Sequence, residues 1–254
     1  MSRTPSTSKT LVDENPFSLS LGDLMAGLLL IFILVLSFLM LDLMEKEKRD
    51  DEIQQVLLKI FTDYAALRQN LYLALETEFE KDLRQWNALL DHETLSVRFR
   101  EPEVLFDQGK ADVKSDFKKM LDDFFPRYVR ILKRPEYVKA IAEIRIEGHT
   151  SSEWSEDVTP EEAYIFNMEL SQDRTRSVLQ YVLQIPEIRE SKNWLQQQLT
   201  ANGLSSSKLI MHSNSTENSE ESRRVEFRVR TNAEKQLEKI KELEDMIGGD
   251  NEFR

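Results

Sequence analysis

Hydrophobic positions along this chain fall into three regimes. In the first they are continuous. Leu24 to Leu41 reads LMAGLLLIFILVLSFLML, without a single charge. At the helical rise that run spans about 27 Å, close to a hydrocarbon core once Leu19 to Leu21 are added. A helix satisfies all of its own backbone polar groups, so residues 17–42 are expected to cross a membrane as one helix. The run is too long for the apolar part of a signal peptide, and no small-x-small cleavage motif follows it, so it is expected to be retained.

In the second regime the spacing is helical. Ile53, Leu57, Ile60, Tyr64, Leu67, Leu71 and Ala74 alternate steps of four and three, a coiled-coil seam. The phase then slips through Leu75, Phe79, Leu83, Trp86 and Leu90, as a stutter produces. Two arrangements bury such a seam: a helix packed on its own domain, or a parallel homodimer. The small residues in the apolar run favour the homodimer, so residues 43–93 are expected to form a helical stalk.

From Thr94 the pattern alternates, as half-buried strands do. Strands are expected at 95–101, 141–148 and 223–230, with a short apolar piece at 104–113 turning near Gly109. A helix over 115–130 places Phe117, Met120, Leu121, Phe124 and Phe125 on one face. Residues 149–159 form a polar loop. Pro160, Glu161 and Glu162 then open a helical region to Gln184, interrupted at 167–171 by a second cap. Pro186 starts a further helix that ends at Asn202-Gly203. Residues 205–222 form a polar loop around a short strand at 208–211. Strands and helices mixed in this order make an α+β sandwich over 94–232. It lies between a polar tail at 1–16, which Pro16 separates from the apolar helix, and a closing helix and tail at 233–254.

Charge narrows the function. The chain carries 46 acidic against 34 basic residues, net −12, which argues against nucleic acid as the main ligand. It has no cysteine, so disulfides and thiolate metal sites are excluded. With seven glycines it forms no phosphate-binding loop. No nucleophile, base and orienting group stand at a recognisable spacing, so no enzyme activity and no cofactor are expected. His92, His149 and His212 are isolated, without a second ligand at metal spacing.

Asp23 interrupts the apolar helix near its start. One reading is a capping box over Ser20–Asp23, with the carboxylate at the positive end of the helix dipole. The other is an ion carrier, since a carboxylate inside a membrane costs up to about 3 kcal/mol and marks function. Gly22, Ala26 and Gly27 make a small-residue face for close helix approach, so Asp23 is expected to point at protein. A single helix builds no ion path, so a multi-helix partner is implied. Lys and Arg counts in the flanks mildly favour the opposite orientation, and the carboxy-terminal domain decides it.

Three segments of that domain read together: LFDQGKADV (105–113), IRIEGHTS (144–151) with NMELSQDRTRSVLQYV (167–182), and RRVEFRV (223–229). In order, spacing and type they resemble the OmpA-like peptidoglycan-binding domain over about 95–231. The resemblance implies that Asn167 and Arg174 hold the diaminopimelate carboxylates of a peptide stem, with Leu170 packed beneath and Phe166 as a wall. A planar guanidinium suits a carboxylate, and Ser171 offers a helix start whose N–H groups favour anions. The family's Asp after Gly-His-Thr, which meets the ligand's ammonium, is Ser151 here, followed by a longer loop. Either Glu153, Glu156 or Asp157 takes its place, or stem binding is weaker.

A membrane helix with one acid, a stalk and such a domain is similar to the layout of MotB-type stator subunits. Gly22-Asp23-Leu-Met-Ala-Gly27 is closer still to the B subunits of Zorya anti-phage defence systems. That resemblance implies a homodimer inside a pentameric MotA/ZorA-like membrane subunit. It also implies Asp23 carrying H+ or Na+, an inner-membrane location, residues 1–16 in the cytoplasm and the domain in the periplasm bound to peptidoglycan. Rotation would then signal to cytoplasmic defence effectors. The alternatives are a flagellar-type stator, or a passive wall tether in which Asp23 is only a cap.

Overall fold

The computed structural model describes residues 16–100, 102–155 and 157–232. The tail before Pro16 and the closing helix expected after residue 232 lie outside them. Two compact units divide the chain, residues 1–59 and 60–254.

The described part of the first unit is helical and belongs to α1, Pro16–Gln85. Its most apolar window has a mean hydropathy of 3.0 and none of it is buried, the only helix among the described residues able by length and composition to cross a membrane. Phe38 is 73% exposed and Leu24 63%, a cost in water that lipid removes. The capping reading of Asp23 fails here. α1 starts seven residues earlier, at Pro16, so Asp23 sits about 10 Å along the helix axis and not at a helix start. Asp23, Ala26 and Gly27 fall on one face by helical spacing. A Cβ added at Gly22 or Gly27 would meet nothing within 4 Å.

In the second unit the last turns of α1 are core. Leu71, Leu75 and Phe79 are completely buried, with Leu67, Ala74 and Leu83 packed beside them. This part of the expected stalk packs on its own domain, because its apolar stripe faces a sheet and a helix of the same unit. Arg127 sews the contact shut. Its guanidinium reaches Glu78 and Asp82 at 2.8 Å each and lies 4.8 Å above the Phe79 ring.

A five-stranded sheet follows, in the order β1-β2-β5-β3-β4. β1 is Ala88–Asp91, β2 Ser96–Phe99, β3 Ile141–His149, β4 Leu199–Gly203 and β5 Arg224–Thr231. All neighbours are antiparallel except β3 and β4. β1 was hidden in the stalk pattern, and β4 in the helix expected after Pro186. That stretch is a 3-10 turn at Pro186–Ser191, a short α5 at Lys192–Gln198, and then a strand. The strand expected at 208–211 is reduced to a bridge between Met211 and Glu217. The short apolar piece at 104–113 is a helical turn, α2 (Pro102–Leu105), and a bridge from Phe106 to Val113 closed by Gly109 at φ +67°.

Period-2 alternation gives the sheet two unlike faces. Val97, Phe99, Ile144, Ile146, Val225 and Phe227 are buried, with Phe99, Phe124 and Phe227 packing ring to ring at 5.1–6.0 Å. Phe124 comes from α3, Ser115–Leu132. On the other face, Glu226 accepts from Arg98 at 2.9 Å, Arg224 at 2.6 Å and Ser96 at 2.8 Å.

α4, Pro160–Val182, is one unbroken helix, where a second cap was expected at 167–171. Thr159 and Glu162 close a full capping box, with Pro160 in the first turn. The polar residues that looked like a second cap serve neighbouring loops instead, Asn167 the loop after β3 and Ser171 the Ser205 turn. Thr175 Oγ1 donates to the Ser171 carbonyl at 3.0 Å, and Ser171 Oγ accepts from Ser205 N at 3.1 Å.

Candidate functional site

A cleft of about 530 Å³ opens where the end of β3, the middle of α4 and the 106–110 turn meet. That size lies in the range of small-ligand sites. Four of the residues expected at the site border it: Ser151, Asn167, Leu170 and Arg174. Asn167 and Leu170 lie three apart on α4 and Arg174 seven beyond Asn167, so one helix face presents all three.

Each is fixed in place. Asn167 is buried, and its Nδ2 donates to the Glu153 carbonyl at 3.1 Å, pinning the loop after β3. Ser219 Oγ donates to the Glu153 carboxylate at 3.0 Å, and both Ser152 N and its hydroxyl donate to Glu217. That loop carries Trp154 to the cleft edge, 45% exposed. Phe166 does not border the cleft itself; its ring lies 5.4 Å from Trp154, tilted by 38°. Ser151 is buried and supplies no charge. Of the acids considered as replacements, Glu153 borders the cleft, Asp157 does not, and Glu156 lies outside the described residues.

Arg174 borders the cleft with part of its guanidinium bonded to the 107–110 turn. Its Nε donates to the Lys110 carbonyl at 2.9 Å and its Nη2 to the Asp107 carbonyl at 3.3 Å. The guanidinium lies 4.9 Å over the Phe106 ring. Burial, and then the nearby Arg223, pull its pKa down to about 10, so it stays charged at neutral pH. The anion role expected for the Ser171 N–H groups is corrected. Ser171 lies mid-helix, where its backbone belongs to the α4 ladder.

Sequence reasoning passed over Arg223, which also borders the cleft. In Arg223-Arg-Val-Glu-Phe the two arginines look alike, but only Arg224 belongs to β5. Arg224 turns into the Glu226 ion pairs and Arg223 into the cleft. Spacing was equally silent about His149. Strand pairing gathers it with Glu147 and Glu226, their ligand atoms within 4.8 Å of one another. Burial and the neighbouring Arg224 drive its pKa down to about 3, so the 3.9 Å contacts to both carboxylates belong to a neutral ring. Glu226 is already paired to Arg98 and Arg224, which makes this an ion-pair network rather than a cation site.

Comparison with known proteins places this geometry. Residues 105–224 match the OmpA family. The chain is 42% identical over 228 residues to Zorya protein ZorB of Escherichia coli, covering 89% of this chain and 93% of that protein. Among solved structures it is similar to a MotB-like protein from Desulfovibrio vulgaris, at 23% identity and TM-score 0.47, over 65% of this chain and 94% of that one. It is also similar to the periplasmic domain of Helicobacter pylori MotB, at 20% identity and TM-score 0.40, over 63% and 86%. With its apolar amino-terminal helix and OmpA-family domain, this chain belongs to the ZorB family of Zorya proteins.

Proposed function

We propose that this chain is a stator-like subunit of a Zorya anti-phage defence system, anchored in the inner membrane and held to peptidoglycan. The observation that carries the reading is the pairing, in one chain, of a lone acid in an apolar helix with a basic cleft in an OmpA-family domain. Asp23 carries the translocated ion, H+ or Na+. Two copies of the helix sit, small-residue faces inward, inside a pentameric MotA/ZorA-like partner. Residues 1–16 lie in the cytoplasm and the domain in the periplasm.

The division of labour follows from physics. One charge moving down the membrane potential supplies about 2.3 kcal/mol per 100 mV, enough to bias a step of the partner ring by population shift. Torque needs a fixed point, and the cleft supplies it. Arg174 faces a stem carboxylate with the guanidinium edge that the 107–110 carbonyls leave free. Asn167 keeps the loop wall closed, and Trp154 backed by Phe166 covers one side. Glu153 stands where Ser151 has replaced the usual Asp and meets the ammonium group. Rotation then relays a phage-induced disturbance of the envelope to cytoplasmic effectors.

The anchoring half is tested by sedimentation of the full-length, detergent-solubilised chain with isolated cell-wall sacculi. Wild type should pellet with the wall, and Asn167→Ala combined with Arg174→Ala should stay in the supernatant. Equal pelleting of both would overturn the assignment of the cleft.

A further inference from the structure

The loop after β3 is tied down on both sides of its largest side chain. Thr150 N donates to the Ser205 carbonyl at 3.0 Å and Ser152 N to the Glu217 carboxylate at 3.0 Å. The Glu153 carbonyl accepts from Asn167 at 3.1 Å and its carboxylate from Ser219 at 3.0 Å. Thr159 and Glu162 fasten the far end through the α4 capping box. Between these ties stands Trp154, half exposed, and its indole N–H donates to no group among the described residues. Its ring leans on Phe166, which is itself exposed. Phe166 and Leu170 lie one turn apart on α4, so apolar surface runs from Trp154 over Phe166 to Leu170 on the cleft lining. Glu169, exposed and three residues on from Phe166, makes no hydrogen bond or ion pair among the described residues.

A rigid loop that holds a large ring out at the edge of a ligand cleft keeps wet an apolar surface that folding could have covered. Fixing the ring in advance lowers the entropy lost when something stacks on it. We propose that Trp154, with Phe166 behind it, is a stacking platform for the sugar backbone of peptidoglycan, beside the cleft that takes the peptide stem. A pyranose offers a face of C–H groups to an aromatic ring, and a rim of hydroxyls and acetamides to polar groups. The indole N–H is a donor for an acetamide carbonyl, and the Glu169 carboxylate an acceptor for hydroxyls. Continuity favours a glycan over a protein chain, because the stem is covalently joined to its sugar and a stem seated in the cleft brings that sugar with it. The platform rests on the peptide-stem reading of the cleft and adds a second part of the same polymer. Its ring comes from the loop that runs longer here than the resemblance of this domain leads one to expect.

The test uses the full-length chain in detergent and two probes. One is the tripeptide L-alanyl-γ-D-glutamyl-meso-diaminopimelate; the other is the same tripeptide carried on its N-acetylglucosaminyl-N-acetylmuramyl disaccharide. Wild type should bind the disaccharide form about 5- to 10-fold more tightly. Trp154→Ala should bind the two forms alike, near the wild-type tripeptide level, with little change in melting temperature, since the ring is half exposed. Trp154→Phe should keep part of the preference, because a ring remains, and Trp154→Gln should keep none. Wild type binding both forms alike would overturn the platform and leave the ring for a protein contact. So would a Trp154→Ala chain weakened on both probes by one factor, which would make Trp154 a wall of the peptide cleft. Wild type binding neither probe would overturn the stem-peptide reading on which the platform rests.

Discussion

Gly203 on β4 lies against Gln172 of α4 so closely that a β-carbon there would sit 2.3 Å from the Gln172 backbone nitrogen. Gly148 on the neighbouring strand β3 is nearly as tight, 2.6 Å from the Thr175 methyl and 3.0 Å from the Ser171 carbonyl. The two glycines therefore set the depth at which α4 seats on the sheet, and α4 carries Asn167, Leu170 and Arg174.

Gly203→Ala should cost about 2–3 kcal/mol in chemical denaturation of the full-length chain, because the obstacle is backbone and cannot rotate away. It should also weaken retention on sacculi, since lifting α4 shifts the cleft wall. Unchanged stability would mean that the helix has room to move.

Phe79→Ala should destabilise the second unit by about 3–5 kcal/mol, the usual cost of emptying a fully buried aromatic site. Val56→Ala, at a position 57% exposed on the same helix, should cost less than about 1 kcal/mol. Comparable losses at both sites would contradict the placement of the end of α1 in the domain core.

Acid should loosen the domain in two overlapping stages. Burial drives His149 down to about 3, so an unfolded chain takes up a proton below about pH 6.5 that the folded one refuses. Burial pushes Glu226 up, but Arg224 and Arg98 outweigh it and hold it down at about 2. Its contribution is present above its unfolded value near 4.5 and is lost as pH falls towards 2. Both effects reduce stability on acidification, with a slope of up to about 1.4 kcal/mol per pH unit for each group. In urea titrations, His149→Gln should flatten the segment between pH 6.5 and 4.5 and reduce, without removing, the fall below it. An unchanged slope in that upper segment would contradict the buried neutral imidazole.

What the sequence made legible follows the range of the interactions. Strands β2, β3 and β5 and helix α3 were readable because their alternation or apolar face is written locally. Asn167, Leu170 and Arg174 came instead from the family resemblance of their Asn-x-x-Leu-Ser-x-x-Arg run, and one helix face brings all three to the same cleft. What failed depended on distant partners. Asn167 to Ser171 looked like a second cap because their polar side chains serve the loop after β3 and the Ser205 turn, not the helix end. Asn202-Gly203 looked like a helix stop, yet the glycine is needed in a strand that α4 approaches closely. The stalk seam ran straight into the domain because a stripe that packs on a sheet has the same spacing as one that packs on a second helix. Arg223 was hidden by Arg224 beside it, and only the start of β5 at Arg224 tells them apart.

The most direct measurement is protection against phage in cells carrying the complete operon, comparing wild type with Asp23→Asn at matched expression and with assembly of the membrane complex verified. The account predicts that protection is lost while the complex still forms, since an amide cannot take up and release the ion. Full protection by Asp23→Asn would contradict it and leave the chain a wall tether with no part in ion flow.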